Sequence, residues 1–536
     1  MMAKDQLSLA AESILDDVDM RPGKVIARTS SEGREWAAFS ICSDVPVSKR
    51  LALHSIVAEN MALNRAIGAV IGMCVGDSVG APLEFLAVTD SEGKDSHHYY
   101  SLSKNSYKGA WNKFGLVKGQ WTDDASMGLC LADSLISKGG TYDGSDVRCR
   151  YHTWWFHGYN NAFRLDADRE GSVGLGGIIG ASLQACQPGE TPPVFFVNGK
   201  EDAGIGTLMR LAPLAVCRHL DVESARRDAA RSSLATHPGP LAAECCGFLA
   251  HLLVRAIHAP WPSKPSTTSS LSAAASSLFE SLRVGDAPKG SPVSSAAAFL
   301  EATALEYEGV LEERLRSLRK LEERSSEKEE KLGAHEEGSV SKPLVDLLRL
   351  LRSSEKDEST ERCWNWKSPS LKIHATIASR GQDYNGYPVL PGYFGSFCCD
   401  GLAMALWSVY HTKSFDTAIE RCVNLLGDAD STAAVCGQIA GAIYGVEGVG
   451  NSFIKELEVW DGGDTKLKAG LLYHLASKHA MEEASIGATA TDRHSKAVSA
   501  TMPVPAPRSS GPSLKDEEKT PGNNRGFDNR KDCNSM

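Results

Sequence analysis

The segment Gly427–Gly445 reads GDADSTAAVCGQIAGAIYG. Asp428, Asp430, Ser431 and Thr432 open a run of small and apolar residues. Such residues favour a helix N-terminus, because their side-chain oxygens accept hydrogen bonds from the unpaired N–H groups of the first turn. A cap needs one oxygen, whereas this start supplies two carboxylates and two hydroxyls. Within the run, Ala433, Gly437, Gly441 and Gly445 recur every fourth residue, which places them on one helix face. A mid-helix glycine costs roughly 0.5–1 kcal/mol relative to alanine. The stripe is therefore expected to recover that cost by admitting another backbone closely. An oxygen-rich start on a tightly packed helix is half of a hard-cation site, and the rest of the chain must supply the other half.

Two earlier segments are candidates. Ala66–Gly80 (AIGAVIGMCVGDSVG) repeats the glycine stride at Gly68, Gly72, Gly76 and Gly80, so two glycine-striped helices are expected to bury against close neighbours, including each other. In the GDSVGAPLEFL that follows, Asp77 is expected to make a structural hydrogen bond to nearby backbone. Glu84 lies among Pro82, Leu83, Phe85 and Leu86, apolar flanks that would desolvate it and raise its pKa, as acid/base work requires. The second candidate is Gly119–Ile136 (GQWTDDASMGLCLADSLI), where Thr122, Asp123 and Asp124 precede apolar residues near helical spacing. Either segment alone is a cap. Together they imply four aspartates in one place, whose mutual repulsion one or two Mg²⁺ or Mn²⁺ ions would relieve. No HExxH spacing accompanies them, which also points to oxygen ligation.

Composition bounds the alternatives. The 536 residues are 42% hydrophobic and 23% charged, as expected of a globular protein, and the net charge of -10 disfavours a dedicated nucleic-acid or anionic-membrane surface. Fourteen cysteines occur without C-x-x-C spacing, an argument for a reducing compartment and against a disulfide framework or a thiolate zinc site. The N-terminus lacks an apolar signal core, and Ala66–Val75 is too short to span a bilayer, so a cytoplasmic location is expected.

The remaining texture divides the chain. Residues 1–60 read as a weakly ordered or peripheral extension, and 61–260 with 371–480 as the globular domain. Residues 261–370 read as an insertion, Ser/Ala/Pro-rich and then charged with interleaved leucines, forming a solvent-facing helix over 301–332. Residues 481–536 read as a disordered tail. Neither GSVGLGGIIG (171–180) nor GIGTLMRLAP (204–213) matches G-x-G-x-x-G, and no G-x-x-x-x-G-K-[ST] occurs, so Rossmann and P-loop sites are unsupported. Tyr393, on the turn-rich Asp383–Gly395 segment, is a candidate either to stack on a base or to close the core edge.

The ordered set GDSVGAPLE, WTDDASM, GTLMRLAP, Thr236-His237 and LLGDADSTAAVCGQIAGAIYG resembles the ADP-ribosylglycohydrolase family over roughly 61–258 and 371–480. The resemblance implies an all-α orthogonal multi-helix bundle with a central two-metal site holding Mg²⁺ or Mn²⁺. It implies hydrolysis of the glycosidic bond between ADP-ribose and an acceptor on a modified protein or other ADP-ribosyl conjugate. Thr122, Asp123, Asp124, Asp428, Asp430 and Ser431 match the family's metal ligands. Glu84 matches a carboxylate above the metals, and Glu84, Asp123 and Asp124 are the acid/base candidates. Gly204, Gly206, Thr207, Arg210 and His237 fall where the family contacts diphosphate and ribose. Ile205 stands where relatives carry Asn, and Ile178 where they often carry a polar residue. The competing readings are a non-catalytic ADP-ribose-binding or structural protein on the same scaffold and a two-metal phosphohydrolase. A monomer is expected.

Overall fold

The computed structural model describes residues 2–18, 40–261 with short breaks, 295–329, 341–353, 362–380 and 393–490. It also describes the strand pairs 28–29 with 35–36 and 383–384 with 387–388. Among these residues regular structure is mostly helix, and the strands form three two-stranded antiparallel ribbons.

The fold is built on the helices Met61–Gly80 and Ala429–Tyr444. A Cβ added at Gly68 would lie 2.3 Å from Gly441 O, and one at Gly72 2.0 Å from Gly437 O. The series continues with Gly76 at 2.0 Å from Ala433 O and Gly80 at 2.4 Å from Ala429 O. As one helix advances by four residues the other retreats by four, so the two run antiparallel with their striped faces backbone to backbone. This register sets the end of the first helix, followed by Glu84, against the Asp428–Thr432 start of the second. The helices Asp123–Ser137, Pro240–His258, Cys398–Tyr410 and Phe415–Val423 contribute to the same hydrophobic core. Met61–Leu83 and Pro240–His258 are long and apolar enough to cross a membrane, but their windows are 94% and 83% buried inside the protein, as core helices are. The thirteen described cysteines are free, and the two doublets face each other with Cys245 Sγ 3.9 Å from Cys399 Sγ.

Peripheral segments carry more order than their composition suggests. Met2–Leu15 and Val47–Val57 are helices that bury Leu7, Ala11, Ile14 and Leu53, the last against Gly470. In the insertion, Ala296–Glu329 is a helix, but it is not solvent-facing all round. Leu300, Ala304, Tyr307, Leu311 and Leu315 form a buried stripe at spacings of four, three, four and four, while Arg314 binds both oxygens of Glu244 at 2.5 and 2.6 Å. Lys342–Arg352 packs alongside, and Trp364 and Trp366 are buried before Leu371. The Ser/Ala/Pro-rich stretch from 262 to 294 lies outside the described residues, as does the tail beyond Ala490. Residues 1–480 form one compact unit; of 481–536, a second unit, only the end of the helix Asp464–Ala490 is described.

The glycine register generates a paired prediction. Gly437→Ala, whose Cβ would lie 1.9 Å from Gly72 O, should destabilise the protein by about 1–3 kcal/mol or more in denaturant titration. Gly309→Ala, on a helix face with nothing within 4 Å, should be neutral or stabilising by up to about 1 kcal/mol.

Candidate active site

The helix Asp123–Ser137 begins without help from its own N-cap residue, Thr122, whose side chain makes no capping bond. Asp77, in the last turn of Met61–Gly80, does that work from another helix. Its carboxylate accepts from Thr122 N at 2.9 and 3.1 Å, from Thr122 Oγ1 at 2.8 Å and from Ala125 N at 2.8 Å. The hydrogen-bonding role expected of Asp77 is therefore present, but its partner is a helix 45 residues away. The same carboxylate lies inside the acidic cluster: Asp77, Asp124 and Asp430 each offer an oxygen within 4.8 Å of the others. Sequence reasoning did not place Asp77 there. One signal was available, since an acidic residue in a last helical turn opposes the helix dipole and so needs a partner elsewhere.

A second cluster shares Asp430: Glu84, Asp428 and Asp430 also offer oxygens within 4.8 Å of one another. Thr122 Oγ1 lies 3.5 Å from Asp430 Oδ2, so the two ligand segments meet across 308 residues of chain. Backbone hydrogen bonds stitch the loops that carry them: Phe85 N to Gly427 O (3.1 Å), Gly427 N to Leu86 O (3.0 Å) and Asp428 N to Phe394 O (2.9 Å). Gly427 has a φ of 70°, and a Cβ there would strike Phe394 O at 2.4 Å, so the crossing requires glycine. The glycine-rich loop also reaches the site, because a Cβ on Gly174 would lie 2.3 Å from Asp123 Oδ1.

Asp77, Asp123, Asp124, Asp428 and Asp430 are all buried. Burial is the first cause raising their pKa values, and neighbouring carboxylates are the next at all but Asp430. Asp77 is raised to about 7 although it accepts from two N–H groups and one O–H. Glu84, half-buried, is pushed well above the usual carboxylate range by desolvation and then by Asp430. Among the described residues, Asp124 Oδ1 and Glu84 Oε2 are buried with no hydrogen-bond partner. Orphaned carboxylate oxygens in an all-oxygen donor set that repels itself fit a hard divalent cation.

The remaining expected residues lie on neighbouring loops. Ser431 N bonds Asp430 Oδ1 at 2.9 Å, and its hydroxyl lies 3.6 Å from Met209 Sδ, which links the acidic start to the 204–213 loop. Gly204 bridges to Phe397, and Ile205–Thr207 is a single 3₁₀ turn. The His237 ring packs on Gly204 and Gly206, where added Cβ atoms would lie 3.0 Å from Nε2 and 2.9 Å from Cε1. Thr207 is buried and accepts from Cys246 Sγ at 3.2 Å. Arg210 is also buried; it donates to Thr236 Oγ1 at 2.6 Å and stands over the Tyr151 ring at 4.7 Å. Ile205 turns into the core, and a Cβ on Gly401 would lie 2.1 Å from its Cδ1. Tyr393 stacks on Phe85 with ring centroids 6.0 Å apart, beside Glu84.

The raised carboxylates fix a pH dependence. Their folded pKa values exceed unfolded values of about 4, so between about 4 and 7 the folded state holds more protons than the unfolded one. In chelator-containing buffer the Tm should fall as pH rises through that window, and Asp124→Asn should flatten the fall. A scan of Tm against pH for both proteins checks it.

Residues 58–489 match the family model described as ADP-ribosylglycohydrolase. The chain is 26% identical over 458 residues to the ADP-ribosylarginine hydrolase Tri1 of Pseudomonas putida (strain GB-1), covering 83% of this chain and 90% of that protein. It is 26% identical over 408 residues to the ADP-ribosylarginine hydrolase Tri1 of Serratia proteamaculans (strain 568), covering 75% and 77% respectively. With the ADP-ribosyl-[dinitrogen reductase] glycohydrolase of Rhodospirillum rubrum it shares 30% identity over 197 residues, 36% of this chain and 58% of that one. The chain thus belongs to the ADP-ribosylglycohydrolase family of glycohydrolase enzymes.

Proposed function

We propose that this protein hydrolyses the glycosidic bond between ADP-ribose and an arginine side chain of a modified protein, releasing ADP-ribose in a reaction that depends on Mg²⁺ or Mn²⁺. The observation that carries the reading is the meeting of Thr122–Asp124 with Asp428–Ser431 beside Glu84. Family membership supports the bond cleaved, and the printed names of the two 26%-identical relatives support arginine as the acceptor.

Thr122, Asp123, Asp124, Asp428, Asp430 and Ser431 would hold two cations, with Asp77 orienting Thr122. When bound, the ions supply Lewis acidity toward ribose hydroxyls and water. The protein's own groups supply the rest. Desolvation and then Asp430 push Glu84 toward its protonated form, which suits its carboxyl to protonate the departing acceptor nitrogen. Once deprotonated, the same carboxylate accepts a proton from the attacking water. Buried aspartates favour the positive charge that develops on the sugar in an oxocarbenium-like transition state. Phe85, next to Glu84 in the chain, packs edge-on against Phe114 at 5.9 Å and stacks on Tyr393.

Hydrolysis of defined ADP-ribosylated peptides tests this. The arginine-linked peptide should release intact ADP-ribose in Mg²⁺, stop in EDTA and resume when Mg²⁺ is restored. Release of AMP instead would identify a phosphohydrolase, and turnover indifferent to chelator would remove the metal. Glu84→Gln should lower kcat by about 10²–10⁴-fold at unchanged fold, measured with circular dichroism alongside. Asp430→Asn, which lies in both acidic clusters, should cost at least as much.

A further inference from the structure

Arg210, Thr236 and His237 form a buried chain whose donors and acceptors can be assigned completely. A guanidinium only donates. Thr236 Oγ1, with a residue exposure of 0%, has two neighbours at hydrogen-bonding distance: Arg210 Nη2 at 2.6 Å and His237 Nδ1 at 2.8 Å. Because the arginine fills one lone pair, the hydroxyl's single proton has His237 Nδ1 as its acceptor among the described residues. A neutral imidazole that accepts at Nδ1 carries its hydrogen on Nε2. Protonating Nδ1 would turn that hydrogen toward the Thr236 proton and the Arg210 charge. The His237 pKa is held well below the ordinary histidine range, first by burial and then by Arg210.

Among the described residues, the Nε2–H so defined has no partner within hydrogen-bonding distance. The nearest carboxylate oxygen, Asp202 Oδ1, is 3.9 Å away and already accepts from Gly204 N at 2.8 Å. His237 is 2% exposed, and Nε2 faces Gly204, where a Cβ would come within 3.0 Å of it. A donor that no protein acceptor fills is open to be completed by a ligand oxygen.

We infer that Arg210 and Thr236 are positioning residues that lock His237 as a neutral Nε2–H donor, aimed at the Gly204–Gly206 loop to bind an oxygen of the ADP-ribosyl group. The ligand class rests on the function proposed above; the tautomer rests on the protein alone. His237 then recognises substrate at constant charge across the neutral range and takes no proton during turnover. Arg210 acts through Thr236 instead of touching phosphate.

Full-length protein labelled with ¹⁵N-histidine separates these statements. The tautomer is read by NMR without ligand, and ADP-ribose affinity by calorimetry. Wild type should show His237 as the Nε2–H form, Thr236→Ser should keep it, and Thr236→Val should shift it and weaken ADP-ribose binding about tenfold. His237→Gln, whose amide nitrogen falls near the place of Nε2, should bind better than His237→Asn, whose amide falls near Nδ1, and this comparison stands if Thr236→Val does not fold. An Nδ1–H or imidazolium ring in wild type at pH 7 would overturn the inference, as would equal ADP-ribose affinity in Thr236→Ser and Thr236→Val. A wild-type protein with the Nε2–H ring but no affinity for ADP-ribose would overturn the substrate reading while upholding the lock.

Discussion

Two helices that touch backbone to backbone govern this structure. Between Met61–Gly80 and Ala429–Tyr444 the striped faces carry only glycine or alanine, so the distance between helix axes is set by main-chain atoms. Packed this closely, the pair cannot slide, because moving one helix by a residue would drive a neighbouring side chain into the other's carbonyl oxygens. The antiparallel register therefore fixes which helix ends meet. It brings Asp77 and Glu84, at the end of one, against Asp428 and Asp430, at the start of the other.

What gathers there is electrostatically unfavourable. Each carboxylate is desolvated, and at most of them other carboxylates raise the cost of ionisation further. The groups are not equivalent, however. Asp77 spends its oxygens on the first turn of a neighbouring helix, so it serves as a structural cap within an acidic site. Asp124 and Glu84 each keep an oxygen with no hydrogen-bond partner among the described residues. Stability and ligand capacity are thus divided among like residues by the donors each one meets.

Much of this arrangement was legible in the chain. The stride of four in Gly68–Gly80 and Ala433–Gly445 encodes close packing directly, and the Thr-Asp-Asp and Asp-x-Asp-Ser starts encode excess oxygen at helix ends. Legibility stopped where a side chain's target lies on another element. Asp77 caps a helix 45 residues later, a pairing that no local spacing reveals. Arg210 donates to Thr236 and stands over the Tyr151 ring, and Ile205 packs where Gly401 leaves space, contacts that lie on other elements. The stripe Leu300–Leu315 was visible as interleaved leucines, but the surrounding charge concealed that one face is buried.

The site also has a temporal order. Its two halves are separated by 308 residues, so a ribosome adding about 5–20 residues per second exposes the first roughly 15–60 s before the second emerges. Throughout that interval the Met61–Gly80 helix, almost wholly apolar, lacks the partner that covers its glycine face. Nascent-chain protection therefore becomes a requirement of this architecture, and chaperone binding should concentrate on the early half of the polypeptide.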